Sequence, residues 1–288
     1  MAIPNLFIVG APKCGTTSLY DKLGHHPDIF SPALKEPCFF SRSISGFPDW
    51  GLATLDAYLK AYSDSEPFRY RADGSTWSFS IKGTERLIKE FNPQAKCIIL
   101  LRNPIDRAFS SWSFAYTNGW TTVASFPEAV HMELASTGNS SWDFRYIETS
   151  LYSDRLNDYM QFFGKDALKI IIFEDLIAHP EPVFDELISW LDIPQFRKAE
   201  LNFSNETELR PFKRMLKYIK HKTLLTDYWN SIPYSLRQHI KKLPGFKQKQ
   251  FEKPTREDRL SLWHLFSDDV KKLSHLLGQD LTSKWSPR

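Results

Sequence analysis

The chain has 288 residues, of which 42% are hydrophobic and 15% aromatic, a composition typical of a globular protein with one large α/β domain or two small ones. Its formal net charge of +3 is too small to indicate nucleic-acid binding by itself, although it suits a protein with a local basic pocket. The 3 cysteines lack C-x-x-C spacing, so they indicate neither a zinc site nor a secreted disulfide framework and favour a reducing compartment.

The N-terminal residues lack the pattern of a secretory leader, which needs a basic region followed by a long apolar run. No stretch of about 18 uncharged apolar residues occurs in the sequence. We therefore expect a cytoplasmic protein without membrane attachment.

The first informative stretch joins an apolar run at Leu6–Val9, which predicts a buried strand, to a helical pattern that begins near Thr16. The loop between them would present unpaired backbone N–H groups and the positive end of the helix dipole, which attract anions. Its order from Gly10 to Thr17 is G-x-x-K-x-G-T-T. Because Lys13 precedes the second glycine, this is not the Walker A order GxxxxGK[ST], and no Mg²⁺ site is implied. A glycine turn in an ordinary strand–helix junction is the alternative interpretation.

This loop resembles the 5′-phosphosulfate loop of sulfotransferases that use 3′-phosphoadenosine 5′-phosphosulfate (PAPS). The resemblance implies that Lys13 stabilises charge on the bridging oxygen as the S–O bond breaks, and is catalytic. It departs at Cys14, which we interpret as tolerated rather than as a nucleophile, because the family position mainly lends backbone. The residues that it assigns to the donor are Lys13, Cys14, Gly15, Thr16, Thr17 and Ser18.

A proline-punctuated loop then carries the adjacent charges Lys35 and Glu36 before Phe39 and Phe40. Burial of the two phenylalanines would place Glu36 at the edge of a pocket, where a carboxylate can act as a general base. A surface Lys–Glu dipeptide is the other interpretation. The string Glu36-x-x-Phe-Phe, followed by the D-x-Y of residues 56–58, resembles heparan-sulfate-type sulfotransferases, which implies that Glu36 is the catalytic base.

One departure from that family follows the next predicted strand. The family has E-K-[ST]-P, with the lysine lining the active site, whereas Asp73 and Gly74 stand here in place of Glu-Lys. The contribution of that lysine must therefore come from elsewhere or be dispensable. Other patterns predict helices at Leu55–Tyr62, Ile81–Phe91, Leu151–Phe163, Pro182–Leu191 and Asp258–Leu277, and strands at Arg69–Asp73 and Leu168–Phe173.

The second informative stretch is an apolar run at Cys97–Leu101, typical of a parallel strand buried on both faces. Arg102 follows at its carboxyl end, where open α/β sheets bind ligands, and a helix from Pro104 would carry Arg107 and Ser110 on successive turns. Arg102 and Ser110 can converge on one anion, although an arginine that caps a strand is an equally ordinary feature. The run R-N-P-x-D-R-x-x-S resembles the family's 3′-phosphate motif, which implies that Arg102 and Ser110 bind that phosphate.

Aromatic residues are dense from Trp112 to Tyr146, and we interpret a helical excursion around 112–148 mainly as core, with some acceptor contacts. Glu174 and Asp175 follow a strand, and a solvated strand end is favoured there over a metal pair. The basic segment around 237–254 shows no recognisable RNA motif. The resemblance implies a lid there that closes on the 3′-phosphate, with Lys247 and Lys249 as cofactor-binding candidates.

The resemblance extends from Phe7 to Trp285 and implies one sulfotransferase domain over residues 1–288. We expect a three-layer α/β fold, with a mostly parallel central sheet flanked by helices, similar to P-loop NTPases. The implied reaction moves the sulfuryl group of PAPS to a hydroxyl or amine of a small molecule or saccharide, without a metal, nucleic acid or membrane. The alternatives are a P-loop kinase of a small metabolite and a nucleotide-binding module without activity.

Overall fold

A computed structural model describes residues 3–44, 51–136, 144–196, 208–209 and 249–287, with the backbone alone for 208–209 and 249–250. The strands are β1 (Leu6–Gly10), β2 (Ile29–Phe30), β3 (Tyr70–Asp73), β4 (Lys96–Leu101), β5 (Leu168–Ile172), β6 (Glu208–Leu209) and β7 (Lys249–Gln250). The helices are α1 (Thr16–Leu23), α2 (Phe39–Arg42), α3 (Leu55–Lys60), α4 (Thr84–Phe91), α5 (Pro104–Thr117), α6 (Phe126–Ala135), α7 (Ser153–Phe163), α8 (Phe173–Ala178), α9 (Pro180–Leu191), α10 (Arg256–Trp263), α11 (Ser267–Leu277) and α12 (Leu281–Trp285).

The centre of the molecule is a five-stranded parallel sheet with the order β2-β3-β1-β4-β5. Every residue of β1 is buried, and so is all of β4 after Lys96, because neighbouring elements cover both faces of these strands. The prediction of an α/β fold with a mostly parallel central sheet flanked by helices, similar to P-loop NTPases, is confirmed. Strands β6 and β7 form a separate antiparallel pair.

The carboxyl ends of three strands place the loops that hold the predicted site residues. Strand β1 runs into the lysine-containing loop, β3 runs into the turn at residues 74–76, and β4 ends immediately before Arg102. Because neighbouring strands of a parallel sheet end at the same edge, these three segments lie together, where open α/β sheets bind their ligands.

Two predicted elements differ from the observed ones. The single helix predicted at Asp258–Leu277 is divided, because backbone N–H groups of Leu265 and Phe266 bond three residues back to Leu262 and Trp263, which tightens the turn. The break lets Phe266 point into the core, where it is 1% exposed. The proline-punctuated loop predicted over Ser31–Phe40 ends earlier than expected, because α2 begins at Phe39.

The prediction of a solvated strand end at Glu174 is wrong. Its carboxylate accepts hydrogen bonds from the backbone N–H of Asn103 at 2.9 Å and from Nε1 of Trp285 at 3.1 Å. Burial raises the pKa of Glu174, and these hydrogen bonds oppose that effect. Glu174 therefore ties β5 to the end of β4 and to the last described helix.

Most of the basic segment 237–254 lies outside the described residues, which resume at 249. Within the described ranges, no helix combines the length and the apolar character needed to cross a bilayer.

Candidate functional site

The loop after β1 is shaped by glycine and opens a helix that no side chain caps. Gly10 has a φ of 151°, and a Cβ there would lie 2.6 Å from both the Cβ of Phe79 and the carbonyl oxygen of Thr76. Gly15 adopts a φ of 85° at the start of α1, whose first turn has neither a side-chain cap nor an acidic residue. The N–H groups of that turn are therefore available to an anion.

Lys13 is the half-buried cation of this loop. Its Nζ lies 4.0 Å from the ring centroid of Phe114, and no carboxylate among the described residues forms an ion pair with it. The pKa of Lys13 is lowered from 10.5 to about 8, first by burial and then by the positive charges of Arg107 and Arg102, against the opposing effect of Glu36. The site therefore holds several positive charges close together, which is an arrangement that attracts an anion.

Arg102 lies directly against this loop, since its Nη1 donates a hydrogen bond to the carbonyl oxygen of Lys13 at 3.2 Å. Its guanidinium carbon is 4.7 Å from the ring centroid of Phe173. Ser110 is buried on α5, 7% exposed, two turns beyond the N-terminus of that helix. The structure thus brings Arg102 and Lys13 together at the carboxyl edge of the sheet.

Arg107 is a site residue that the sequence interpretation placed on α5 but did not assign. It is fully buried, with Nη1 bonded to Oγ1 of Thr149, while Nε and Nη2 have no hydrogen-bond partner in the described structure. Burial lowers its pKa, and its charge in turn lowers the pKa of Lys13. A buried guanidinium with two unpaired N–H directions is costly unless an anion or an ordered water binds there. The signal in the sequence was a second arginine in the same motif as Arg102.

The remaining residues of the loop divide into buried and accessible ones. Burial raises the pKa of the Cys14 thiol to about 12, which agrees with the interpretation that Cys14 is not a nucleophile. Its Sγ lies 4.0 Å from the hydroxyl oxygen of Tyr152, which itself donates to the carbonyl oxygen of Arg102. Thr16 is buried, whereas Thr17 is exposed and Ser18 half-buried.

Glu36 lies near enough to Lys13 for its charge to raise the pKa of that lysine, against the stronger effects that lower it. Its Oε1 accepts hydrogen bonds from Nζ of Lys35 at 3.0 Å and from Oγ1 of Thr76 at 3.3 Å. The side chain of Glu36 is 32% exposed, so it is neither a freely solvated surface group nor fully enclosed.

Asp73, which stands where the family has glutamate, serves the structure of the turn after β3. It is buried and accepts hydrogen bonds from the hydroxyl of Tyr58 at 2.6 Å and from the backbone N–H of Ser75 at 2.8 Å. Burial raises its pKa, and these hydrogen bonds oppose that effect. Asp73 therefore stabilises the turn that places Thr76 within hydrogen-bond distance of Glu36.

The described aromatic residues after residue 112 either belong to the core or pack against it, since Tyr116, Trp120 and Phe144 are half-buried on its surface. Trp112 and Tyr146 are 3% and 2% exposed. Phe114 differs, because its ring lies against the ammonium of Lys13. Of the two proposed lid lysines, Lys247 lies outside the described residues, and the side chain of Lys249, in β7, is not described. In the described ranges, no three His, Cys, Asp or Glu side chains lie together as metal ligands would.

Comparisons with known proteins show the family of this chain. The family described as "Sulfotransferase domain" matches residues 4–225. Carbohydrate sulfotransferase 15 from Mus musculus is 25% identical over 255 residues, covering 69% of this chain and 45% of that protein. Bifunctional heparan sulfate N-deacetylase/N-sulfotransferase 1 from Caenorhabditis briggsae is 26% identical over 203 residues, covering 68% of this chain and 23% of that protein. The chain thus spans less than half the length of these two relatives.

A solved structure extends the similarity to nearly the whole chain. The crystal structure of a sulfotransferase from Alicyclobacillus acidocaldarius superposes with a TM-score of 0.73 at 26% identity, covering 98% of this chain and 99% of the other. The fold of the described residues is therefore similar to that of this protein.

Proposed function

Because the chain belongs to the sulfotransferase domain family, we propose that it transfers the sulfuryl group of PAPS to a hydroxyl or amine of an acceptor. The observation that carries the proposal is the cation cluster at the carboxyl edge of the sheet. Lys13, Arg102 and Arg107 act on one another electrostatically, and none of the three forms an ion pair with a described carboxylate. A polyanionic ligand would supply the missing negative charge.

The donor carries charge at two ends, and the residues of the site can be divided between them. Lys13 and the first-turn N–H groups of α1 suit the 5′-phosphosulfate, whereas Arg102 and Ser110 suit the 3′-phosphate. The two unpaired N–H directions of Arg107 fit an anion held between these groups. Binding of the anionic donor would thus neutralise the positive charges of Lys13, Arg102 and Arg107, which destabilise the protein when no ligand is bound.

Glu36 and Lys13 are proposed to divide the chemistry of transfer. The acceptor oxygen or nitrogen forms a bond to sulfur while the bond from sulfur to the bridging oxygen breaks, and 3′-phosphoadenosine 5′-phosphate (PAP) leaves. Glu36 takes the proton of the acceptor, and Lys13 stabilises the negative charge that grows on the bridging oxygen. Positioned cations and N–H groups hold the reacting atoms in line.

For the acceptor we propose a saccharide or a small molecule that carries a hydroxyl or an amine. The names of the relatives support a saccharide, since one is a carbohydrate sulfotransferase and the other acts on heparan sulfate. We also propose a cytoplasmic location, supported by three buried cysteines that are all free thiols, and cell fractionation would test it.

The first experiment measures donor binding without any acceptor. Calorimetry with PAP in the presence of a chelator should show tight binding, and removal of the 3′-phosphate should weaken it at least about tenfold, as expected for the loss of charge-assisted hydrogen bonds. ATP with Mg²⁺ is the comparison ligand. Tighter binding of ATP than of PAP would contradict the proposal and favour a kinase.

The second experiment supplies PAPS labelled in the sulfuryl group together with a panel of acceptors. The panel includes N-desulfated heparin, chondroitin and small alcohols and amines. Transfer of label to a panel member, and its loss in the Lys13→Ala variant while the fold is kept, is the expected result. PAP binding without any transfer would favour a nucleotide-binding module.

A further inference from the structure

The carboxylate of Glu36 is held through one of its two oxygens. Nζ of Lys35 and Oγ1 of Thr76 both contact Oε1, at 3.0 Å and 3.3 Å. No described residue donates a hydrogen bond to Oε2 or pairs with it. The carboxylate is therefore fixed in orientation, and its second oxygen is left to meet the proton of an acceptor.

Lys35 is itself anchored, so that its contact with Glu36 is more than a transient surface pair. Its Nζ lies 3.4 Å from the carbonyl oxygen of Gly74 and 5.9 Å from the ring centroid of Tyr20. The side chain is 19% exposed. Exposed lysine–carboxylate pairs contribute little because the side chains are free to move, whereas this ammonium is restricted on three sides.

The turn after β3 explains why the cation comes from this loop. A Cβ at Gly74 would lie 2.8 Å from Cδ2 of Tyr20 and 2.9 Å from the carbonyl oxygen of Lys35, so no side chain fits at position 74. The backbone N–H of Cys38 also bonds to Oγ of Ser75 at 2.9 Å, which joins the loop and the turn on the other side of Glu36. The loop that carries Lys35 therefore packs closely on the turn at residues 74–76. A lysine side chain has no room at position 74, and Lys35 supplies the ammonium from the loop instead.

From these contacts we infer that Lys35 is the positioning residue of the base. It bridges Oε1 of Glu36 to the Gly74 carbonyl and, together with Thr76, leaves Oε2 for the acceptor. This role also accounts for the lysine that the resembled family has at the position of Gly74. Lys35 places its ammonium next to the Gly74 carbonyl oxygen and so supplies a positive charge close to that position. The inference rests on the proposed function, in which Glu36 takes the proton of the acceptor.

The test measures kcat for sulfuryl transfer from labelled PAPS in four variants. The acceptor is the member of the panel above that takes up the most label. Lys35→Met removes the charge and keeps the length of the side chain, and Lys35→Arg restores a cation. Glu36→Gln removes the base. Lys169→Met is the matched control, since Lys169 is 16% exposed and its Nζ lies 2.5 Å from Oε1 of Glu186, away from the site.

We expect kcat to fall at least about tenfold in Lys35→Met, the loss expected for a hydrogen bond to a charged group. The dissociation constant for PAP should change less than about twofold, because Lys35 acts on the acceptor side. Lys35→Arg, which keeps a cation at this position, should have a kcat close to that of the wild type. Lys169→Met should have the kcat of the wild type. Glu36→Gln should lower kcat by about 100-fold or more, as for loss of a general base.

The double variant separates a positioning role from a structural one. If Lys35 acts through Glu36, then adding Lys35→Met to Glu36→Gln should lower kcat no further, since the effects of residues that act as a unit do not add. A full additional loss in the double variant, or wild-type turnover in Lys35→Met, overturns the inference and leaves the proposed function standing. Wild-type turnover in Glu36→Gln overturns the role of the base itself. Lys35→Gln, which also removes the charge of the side chain, replaces Lys35→Met in both the single and the double variant if Lys35→Met does not fold.

Discussion

Arg107 and Arg155 both have largely buried guanidinium groups, but they differ in the partners that satisfy those groups. Arg155 is nearly buried, and its guanidinium is satisfied by Glu85, Asp158 and backbone carbonyls. Arg107 is fully buried and keeps two N–H directions without a partner. The first arginine has the contacts expected of a structural residue, whereas the second has the unpaired N–H groups that the proposed function assigns to an anion.

This contrast predicts opposite effects of the same substitution. Arg107→Met should bind PAP at least about tenfold more weakly. It should also raise the free energy of unfolding by about 1 kcal/mol or more, because it removes a buried charge that lacks a counterion. Arg155→Met should lower it by about 3–5 kcal/mol, because it leaves the buried carboxylate of Glu85 without its guanidinium partner. Urea unfolding and calorimetry measure both quantities, and an Arg107→Met variant that loses stability without losing PAP affinity would identify Arg107 as structural.

Lys13 provides a second residue-scale prediction, on pH dependence. Its pKa of about 8 in the folded protein lies below the value of 10.5 in the unfolded chain, so the charged lysine opposes folding. That cost is fully present below pH 8 and disappears between pH 8 and 10.5, where the folded protein loses the proton first. Lys13→Met should therefore be more stable than wild type at pH 7, with a difference that shrinks toward pH 10.5. Unfolding in urea at several pH values measures it, with the exposed-site variant Lys271→Met as control. A difference that does not change with pH would contradict the prediction.

At the scale of elements, sequence patterns succeeded where one physical effect dominates. Continuous apolar runs predicted β1 and β4, because a strand covered on both faces needs apolar residues throughout. The proline after Arg102 and Asn103 predicted the start of α5, and the Asn103 side chain caps that helix through the N–H groups of Ile105 and Asp106. These signals are local, and the sequence alone carries them.

The misses at this scale come from contacts between distant parts of the chain. Strand β2 has two residues and forms through its pairing with β3. A strand this short has no hydrophobic periodicity from which the sequence could predict it. The break before α11 depends on the burial of Phe266. The same holds within the site, where the motif indicated Lys13 and Arg102, but the anchoring of Glu36 by Lys35 and Thr76 required the turn after β3 to pack on the loop. Long-range packing decided each of these cases.

At the scale of the whole molecule, the last described helix returns to the edge of the sheet that carries the site. The carbonyl oxygen of Trp285 accepts a hydrogen bond from Nδ2 of Asn103 at 2.9 Å, and its Nε1 donates to Glu174 at 3.1 Å. Trp285 is 2% exposed. Asn103 follows Arg102 directly, so residues near position 285 help to fix an arginine more than 180 positions earlier in the chain.

This connection predicts that Trp285→Phe weakens donor binding as well as the fold. The substitution keeps an aromatic side chain, although a smaller one, and removes the indole donor to Oε2 of Glu174. The lost donor should cost about 1–3 kcal/mol of unfolding free energy, as for a hydrogen bond to a charged group. Loosening Glu174 loosens its contact with the Asn103 N–H and hence the position of Arg102, so PAP affinity should also fall. Trp190→Phe is the matched control, because its Nε1 bonds to the carbonyl oxygen of Asp166 at 3.0 Å, before β5 and so at the opposite edge of the sheet. It should lose stability while binding PAP as wild type does, by urea unfolding and calorimetry. Equal PAP affinity in both variants would mean that α12 supports the fold alone and does not act on the site.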